Sequence, residues 1–356
     1  MNMNRREFMR LSAMAAAATA LPGALRAADG KGEIRAMLFH LGHNMWSEWL
    51  PAELMTPEFV KPRFLPDTEL RFEEESWRRL VGRMAEKKVN MVVLDLGEGL
   101  AYPSHPELAV NGSWSPDRMK AEVARLKGLG IEAIPKLNFS ATHDGWLKQY
   151  GNMLTHPQWY AVVKDVIRDV AEIFGTPRFL HIGFDEENTD HSNDRNYFVM
   201  RKGELWWHDF LYTVKTVEDL GIRPWCWSDY GWDHKEYFTR CPKSVVQSNW
   251  YYDESYGGFD PEKYAAKSQK ERLVQFWQLE KAGFDQIPCG TNWIGWRRRE
   301  LKIGADDVIG SLVKLGREVI APERRLGFMM APWARTDREH EAFNLKAIDL
   351  LADAVG

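Results

Sequence analysis

Residues 179–188 read FLHIGFDEEN. An apolar run with one glycine leads straight into three consecutive carboxylates, Asp185, Glu186 and Glu187. Ionised groups are costly inside a sheet, because burial strips a carboxylate of water that a single partner rarely replaces. The stretch therefore reads as a buried strand whose C-terminal end opens into a cavity. The same pattern, apolar run and then polar end, recurs on both sides of it.

Upstream stand IRAMLFHLGHN (34–44), NMVVLDLGEG (90–99) and IEAIPKLNF (131–139); downstream stand IRPWCWSDY (222–230), SVVQSNWYYD (244–253), FDQIPCGTNW (284–293) and LGFMMAPWAR (326–335). Segments with helical spacing separate them, at 76–89, 115–130, 156–175, 204–221, 261–283, 305–320 and 339–355. Ser115 and Pro116 supply an N-cap and a first turn for the second of these segments, and glycines close several of them. The segment after the fifth strand is short. Strands that alternate with helices predict a parallel sheet. Eight such units in a chain of 356 residues fit a single α/β domain, a (β/α)8 TIM barrel over residues 29–356. An open doubly wound sheet is the competing architecture, but no glycine-rich dinucleotide turn follows the first strand.

A barrel of this kind gathers its site at the C-terminal ends of its strands. Those ends carry His40, His43 and Asn44; Asp95 and Glu98; Lys136, Asn138 and, just beyond, His143; Asp185, Glu186 and Glu187; Trp227 and Asp229; Asn249 and Trp250; Asn292 and Trp293; Trp333 and Arg335. Acids, amides and indoles on nearly every strand suit a sugar, whose hydroxyls bond to carboxylates and whose C–H face stacks on tryptophan. The chain has 16 Trp, more than a core requires, and an indole combines a flat apolar face with a polar N–H. Cys226, Cys241 and Cys289 are odd in number and irregular in spacing, so they make neither a disulfide framework nor a zinc motif. This reading calls for no cofactor and no metal.

The N-terminus follows a different logic. Arg5 and Arg6 precede Phe8, then a short alanine-rich apolar stretch and small residues near Ala27 and Ala28. This is a twin-arginine signal peptide over residues 1–28, too short to span a membrane, and it implies the twin-arginine export machinery as a partner and a periplasmic or extracellular destination. The mature form is expected to have no membrane span. Residues 1–28 carry a net +3, which leaves −7 on the rest of a chain whose total is −4. Such a surface does not favour nucleic acid.

HIGFDEE at 181–187 resembles the HIGGDE strand of the family 20 glycoside hydrolases, the β-N-acetylhexosaminidases. IPKLNFSATH, PWCWSDY, VVQSNW and LGFMMAPWAR resemble, in order and spacing, that family's third, fifth, sixth and last strands. The resemblance implies an exported glycosidase that releases a terminal N-acetylhexosamine from an oligosaccharide or glycoconjugate by substrate-assisted, retaining hydrolysis. It implies Asp185 as the group that orients and polarises the substrate acetamide and Glu186 as the general acid. His143 would be a pocket residue, Trp227, Trp250 and Trp333 would wall the sugar, and Asp95, Asn138, Asp229 and Trp293 would complete the binding set. Successive strand residues face opposite ways, so the pair needs a bend in the backbone. Several positions depart from the family pattern. Phe184 replaces a second glycine, which would put bulk beside the pair. Lys136 and Asn138 replace acids, HLGHN stands in place of an arginine that clamps sugar hydroxyls, and no glutamate follows Trp333. Two other functions fit the strand ends. One is a metal-dependent barrel hydrolase using His40, His43, Asp95, His181 and Asp185; the other is a non-catalytic carbohydrate-binding barrel.

Overall fold

A computed structural model describes residues 32–187, 195–252, 271–295, 299, 302 and 304–356. The signal region lies outside these residues, as do the start of the helix predicted over 261–283 and Arg297 and Arg298. Eight parallel strands are present: β1 (Ile34–His40), β2 (Met91–Asp95), β3 (Glu132–Lys136), β4 (Phe179–His181), β5 (Arg223–Trp227), β6 (Val246–Ser248), β7 (Cys289–Gly290) and β8 (Gly327–Met330). They run in the order β6-β5-β4-β3-β2-β1-β8-β7. Parallel bridges between Gln247 and Gln286 and between Trp250 and Cys289 join β6 to β7, so the sheet curls back on itself as a TIM barrel.

The helices α1 (Glu74–Glu86), α2 (Pro116–Gly128), α3 (Pro157–Ile173), α4 (Glu204–Glu218), α5 (Glu271–Ala282), α6 (Val308–Val319) and α7 (Glu341–Val355) follow strands one to four and six to eight. After β5 there are only two one-turn helices, Tyr230–Asp233 and Tyr237–Arg240. The capping expected at α2 is present: the Arg118 backbone N–H donates to Ser115 Oγ at 3.2 Å, and Pro116 occupies the first turn.

Strand periodicity divides the core in two. Ala36, Leu38, Met91, Val93, Ile134, Phe179, Trp225 and Met329 pack inside the barrel. Met37, Phe39, Val92, Leu94, Leu180 and Ile182 face the helices, together with Trp77, Trp159 and Trp206. All three cysteines are buried and unbridged.

Toward the C-terminal mouth the interior turns polar. Register places His40 beside Asp95, Asp95 beside Lys136 and Lys136 beside His181, so one level of the barrel carries four polar side chains on consecutive strands. Lys136 Nζ donates to Asp95 Oδ2 at 2.5 Å, and His40 Nδ1 lies 3.3 Å from the same oxygen. Burial alone would raise the Asp95 pKa, but Lys136 and His40 outweigh it and hold it down at about 2. The His181 imidazole is driven well below its ordinary value, first by burial and then by Lys136, and is neutral. This charged plug supports what lies above it.

Candidate active site

Strand β4 ends at His181, and the chain then turns sharply. Gly183, Phe184 and Glu186 have φ of +75°, +68° and +55°. Three left-handed residues within four make the bend that lets adjacent acids share one side. A Cβ on Gly183 would overlap the side chain and backbone of Asn138, so this position requires glycine for space as well as for backbone. Phe184 departs from expectation. Its ring turns away from the acids and packs on α4, with its centroid 5.7 Å from that of Trp206 and 5.1 Å from that of Phe210, under the Arg201 guanidinium. The left-handed backbone directs it outward, and apolar burial offsets the strain of a non-glycine residue there.

The bend brings Asp185 and Glu186 to the mouth. Asn138 Nδ2 donates to Asp185 Oδ1 at 2.9 Å. Ser140 and Thr142 hydroxyls donate to the Asp185 carbonyl oxygen. The His143 ring bridges the two acids, with Nδ1 3.4 Å from Asp185 Oδ1 and Nε2 3.5 Å from Glu186 Oε2. The Asp229 carboxylate accepts the Glu186 backbone N–H at 2.7 Å. Asp185 is buried, whereas the Glu186 side chain keeps 30% of its surface open to the mouth.

The electrostatics differ sharply across this small site. Burial would raise the Asp185 pKa, but His143, Lys136 and the Asn138 hydrogen bond together hold it well below the usual carboxylate range. Asp229 is pushed well up, by burial and then by the negative charge of Asp185. Of these two neighbouring acids Asp185 is the anion, which the surroundings are built to accept.

Glu187, whose role the sequence does not indicate, forms the rear of the site. Arg201 donates to both its oxygens, at 2.6 and 3.1 Å, and to Asp209 Oδ2 at 3.1 Å; all three side chains are almost fully buried. Glu187 also accepts the Ala141 N–H at 3.0 Å. Glu187 is thereby tied to the turn after β3 and, through Arg201, to α4.

The aromatic residues lie where strand ends place them, but not all at the surface. Trp227 is buried between His181 and Trp333, with ring centroids at 4.7 and 5.7 Å. Trp250 stacks on Tyr252 and meets Trp232 edge-on. Trp333, with φ of +55°, is half-buried and points Nε1 at the Tyr252 hydroxyl, 3.3 Å away. Trp46, on a turn of the long β1–α1 connection, lies 5.9 Å from His143, 5.0 Å from His43 and 5.7 Å from His40. No sequence periodicity marks it, because the turn is irregular. Trp293, Trp333, His43, Arg335, His340 and Phe343 line an adjoining cleft of about 520 Å³.

Asp95 sits in the plug beneath, its carboxylate engaged by Lys136. Glu98 caps the loop, accepting the His43 and Asn44 backbone N–H groups at 2.6 and 3.0 Å; burial pushes its pKa up to about 7 despite those bonds. The suggested metal set of His40, His43, Asp95, His181 and Asp185 is not gathered at one point. Among the described residues, the groups whose ligating atoms approach within 4.8 Å are His143, Asp185 and Glu186, and Asp337, Glu339 and His340.

A (β/α)8 barrel with buried acids at the end of its fourth strand is the class that these features define. In solved structures the barrel is matched by family 20 glycoside hydrolases. The exo β-N-acetylglucosaminidase of Vibrio harveyi, solved with N-acetylglucosamine, is 14% identical, with a TM-score of 0.56 over 91% of this chain and 54% of that one. The β-N-acetylhexosaminidase of Bacteroides fragilis is 13% identical, with a TM-score of 0.57 over 89% and 65%. The β-N-acetylhexosaminidase of Streptomyces coelicolor is 14% identical, with a TM-score of 0.55 over 89% and 64%. What is shared at this level is the fold, and the chain spans about half the length of the Vibrio enzyme. No curated protein matches in sequence. The family model of the twin-arginine translocation pathway signal sequence matches residues 2–22, which marks the chain for export across the membrane. Among the described residues, no helix is long and apolar enough to cross a membrane.

Proposed function

We propose that residues 29–356 form one catalytic barrel, a retaining glycosidase acting on a terminal 2-acetamido sugar of an oligosaccharide or glycoconjugate in the periplasm or outside the cell. One observation carries this: Asp185 and Glu186 share the mouth of β4, bridged by His143, with Asp185 held as an anion and Glu186 partly open. An anion at Asp185 accepts the acetamide N–H and raises the nucleophilicity of the acetamide oxygen. That oxygen attacks the anomeric carbon, the glycosidic C–O bond breaks, and the Glu186 proton passes to the leaving oxygen. The Glu186 carboxylate then takes a proton from water, which opens the cyclic intermediate with retention. Asn138 and His143 fix Asp185. Trp333, Trp250, Trp227 and Trp293 form or back the aromatic wall, while Asp229 orients the backbone of Glu186 and Asp95 anchors the plug below.

The test is turnover of aryl β-glycosides by the mature chain. Glu186→Gln should lower kcat by about 10²–10⁴-fold. Asp185→Asn should lower turnover of 2-acetamido glycosides far more than that of glycosides lacking the acetamide. An acetamido-thiazoline should inhibit. A wild-type enzyme that cleaves both substrate types equally and ignores the thiazoline would remove the substrate-assisted mechanism. Binding without turnover would make the protein a carbohydrate-binding barrel. A second reading rests on the close approach of His143, Asp185 and Glu186, which together could ligate a divalent cation. Loss of activity on chelation, restored by added metal, would favour it.

A further inference from the structure

The cleft beside the acids contains a cation that the hydrolytic scheme does not use. Arg335 is half-buried on its wall, and its guanidinium has neither a hydrogen bond nor an ion pair among the described residues. Its nitrogens remain open to water, so the guanidinium donors stay available to an oxyanion that enters the cleft. Two acids stand nearby: Asp337, which feels the Arg335 charge, and Glu339, which lines the same cleft. Asp337 is taken by His340, whose backbone N–H and Nδ1 lie 2.9 and 2.7 Å from Asp337 Oδ1, and Glu339 stands exposed at the rim. His43 adds polar capacity without charge: burial, and then His40 and Arg335, lower its pKa to about 3, so its imidazole stays neutral. Arg299 lies over the Trp293 ring at 5.6 Å and adds positive charge to the same wall. A chain of ring contacts links the cleft lining to the acid pair. His43 meets Trp46, Trp46 meets His143, and Trp333 is shared by the cleft and the wall beside Trp227.

We propose that this cleft receives an anionic substituent of the bound saccharide, a sulfate ester or a carboxylate, held by the Arg335 fork against the Trp293 and Trp333 faces. The inference rests on the glycosidase reading of Asp185 and Glu186 and specifies the substrate class. A guanidinium binds a planar or tetrahedral oxyanion through two parallel N–H donors, and the aromatic faces accommodate the C–H side of the ring.

The test compares aryl N-acetylglucosaminides that are neutral, sulfated at C3, C4 or C6, or oxidised at C6 to the carboxylate. At low salt the wild-type chain should favour at least one anionic substrate in kcat/KM by about 10-fold or more. The arms separate sulfate from carboxylate. In Arg335→Met that anionic-to-neutral ratio should fall by about 10- to 100-fold, and Arg335→Lys should recover part of it. Rising ionic strength should erode the ratio in the wild type only. Calorimetric titration of Glu186→Gln with the corresponding free sugars keeps binding separate from turnover. Charge-selective binding that depends on Arg335, with no glycoside cleaved by the wild type, would retain the anion site and remove the glycosidase reading. Cleavage with no preference for any anionic substrate, or an Arg335→Met variant that loses neutral and anionic substrates in equal proportion, would overturn the inference and leave Arg335 as a binder of ordinary hydroxyls.

Discussion

Arg201→Met tests whether the rear of the site controls its front. The guanidinium makes three bonds to two carboxylates, and the Arg201, Glu187 and Asp209 side chains are exposed by only 1, 2 and 0%. Removing one partner from a buried ionic group strands the others, at a cost of about 3–5 kcal/mol. Unfolding entropy of ~2.1 cal/mol/K per residue, over the roughly 320 residues from Ile34 to Val355, gives ~0.7 kcal/mol per degree. The midpoint should therefore drop by about 4–7 °C in calorimetry. Activity should suffer as well, because Glu187 directly follows Glu186 and its anchor fixes the bend; a shift of about 1 Å in a catalytic group costs up to ~10²-fold. Arg201→Lys should be intermediate, since one ammonium cannot reproduce the fork. Replacing Glu187, Arg201 and Asp209 together by apolar residues of similar volume should restore much of the midpoint but little of the activity. An Arg201→Met midpoint within about 1 °C of wild type would refute the assignment of these charges as mutually dependent. A lowered midpoint with undiminished kcat/KM would refute the link to the acids.

Three further outcomes follow from the same geometry. The Asp95 pKa is about 2 in the folded chain against about 4 unfolded, so its contribution is present above pH 4 and disappears as pH falls through 2. Acid titration of stability should show ~2 kcal/mol lost in that window, and Lys136→Met should abolish the step. Glu98 behaves oppositely: its folded pKa near 7 exceeds the unfolded value, so its ionisation weakens the fold as pH rises from about 4.5 through 7. The midpoint of Glu98→Gln relative to wild type should accordingly increase between pH 5 and pH 8, and a flat difference would contradict the burial argument. Gly183→Ala should lose ~1–3 kcal/mol from its left-handed backbone and its collision with Asn138, with a fall in kcat, measured by thermal unfolding and steady-state kinetics.

The strands were legible because the longer ones, such as β1 and β2, are apolar on both faces and end in polar residues, as a parallel sheet covered by helices requires. Their ends were less so. The run at 178–186 appears continuous, yet β4 stops at His181 because left-handed φ values begin two residues later. That same winding explains Phe184: position in sequence puts it beside the acids, whereas backbone sign puts its ring among the helices. His143 was accessible from its place after the third strand. Trp46 was not, because an irregular turn carries no period, and neither was the Glu187–Arg201 pair, since 14 residues of separation leaves no local trace. Glu98 could be seen as a strand-end acid, but its service to the His43 turn depends on a close approach that spacing does not encode.

The three thiols have a consequence for how the molecule is made. Cys226, Cys241 and Cys289 are buried and unbridged, and burial raises the pKa of each, which keeps them as unreactive SH groups. Nothing in the barrel waits for an oxidant. It can fold in the reducing cytosol and travel as a finished body through the twin-arginine pathway that its signal sequence addresses.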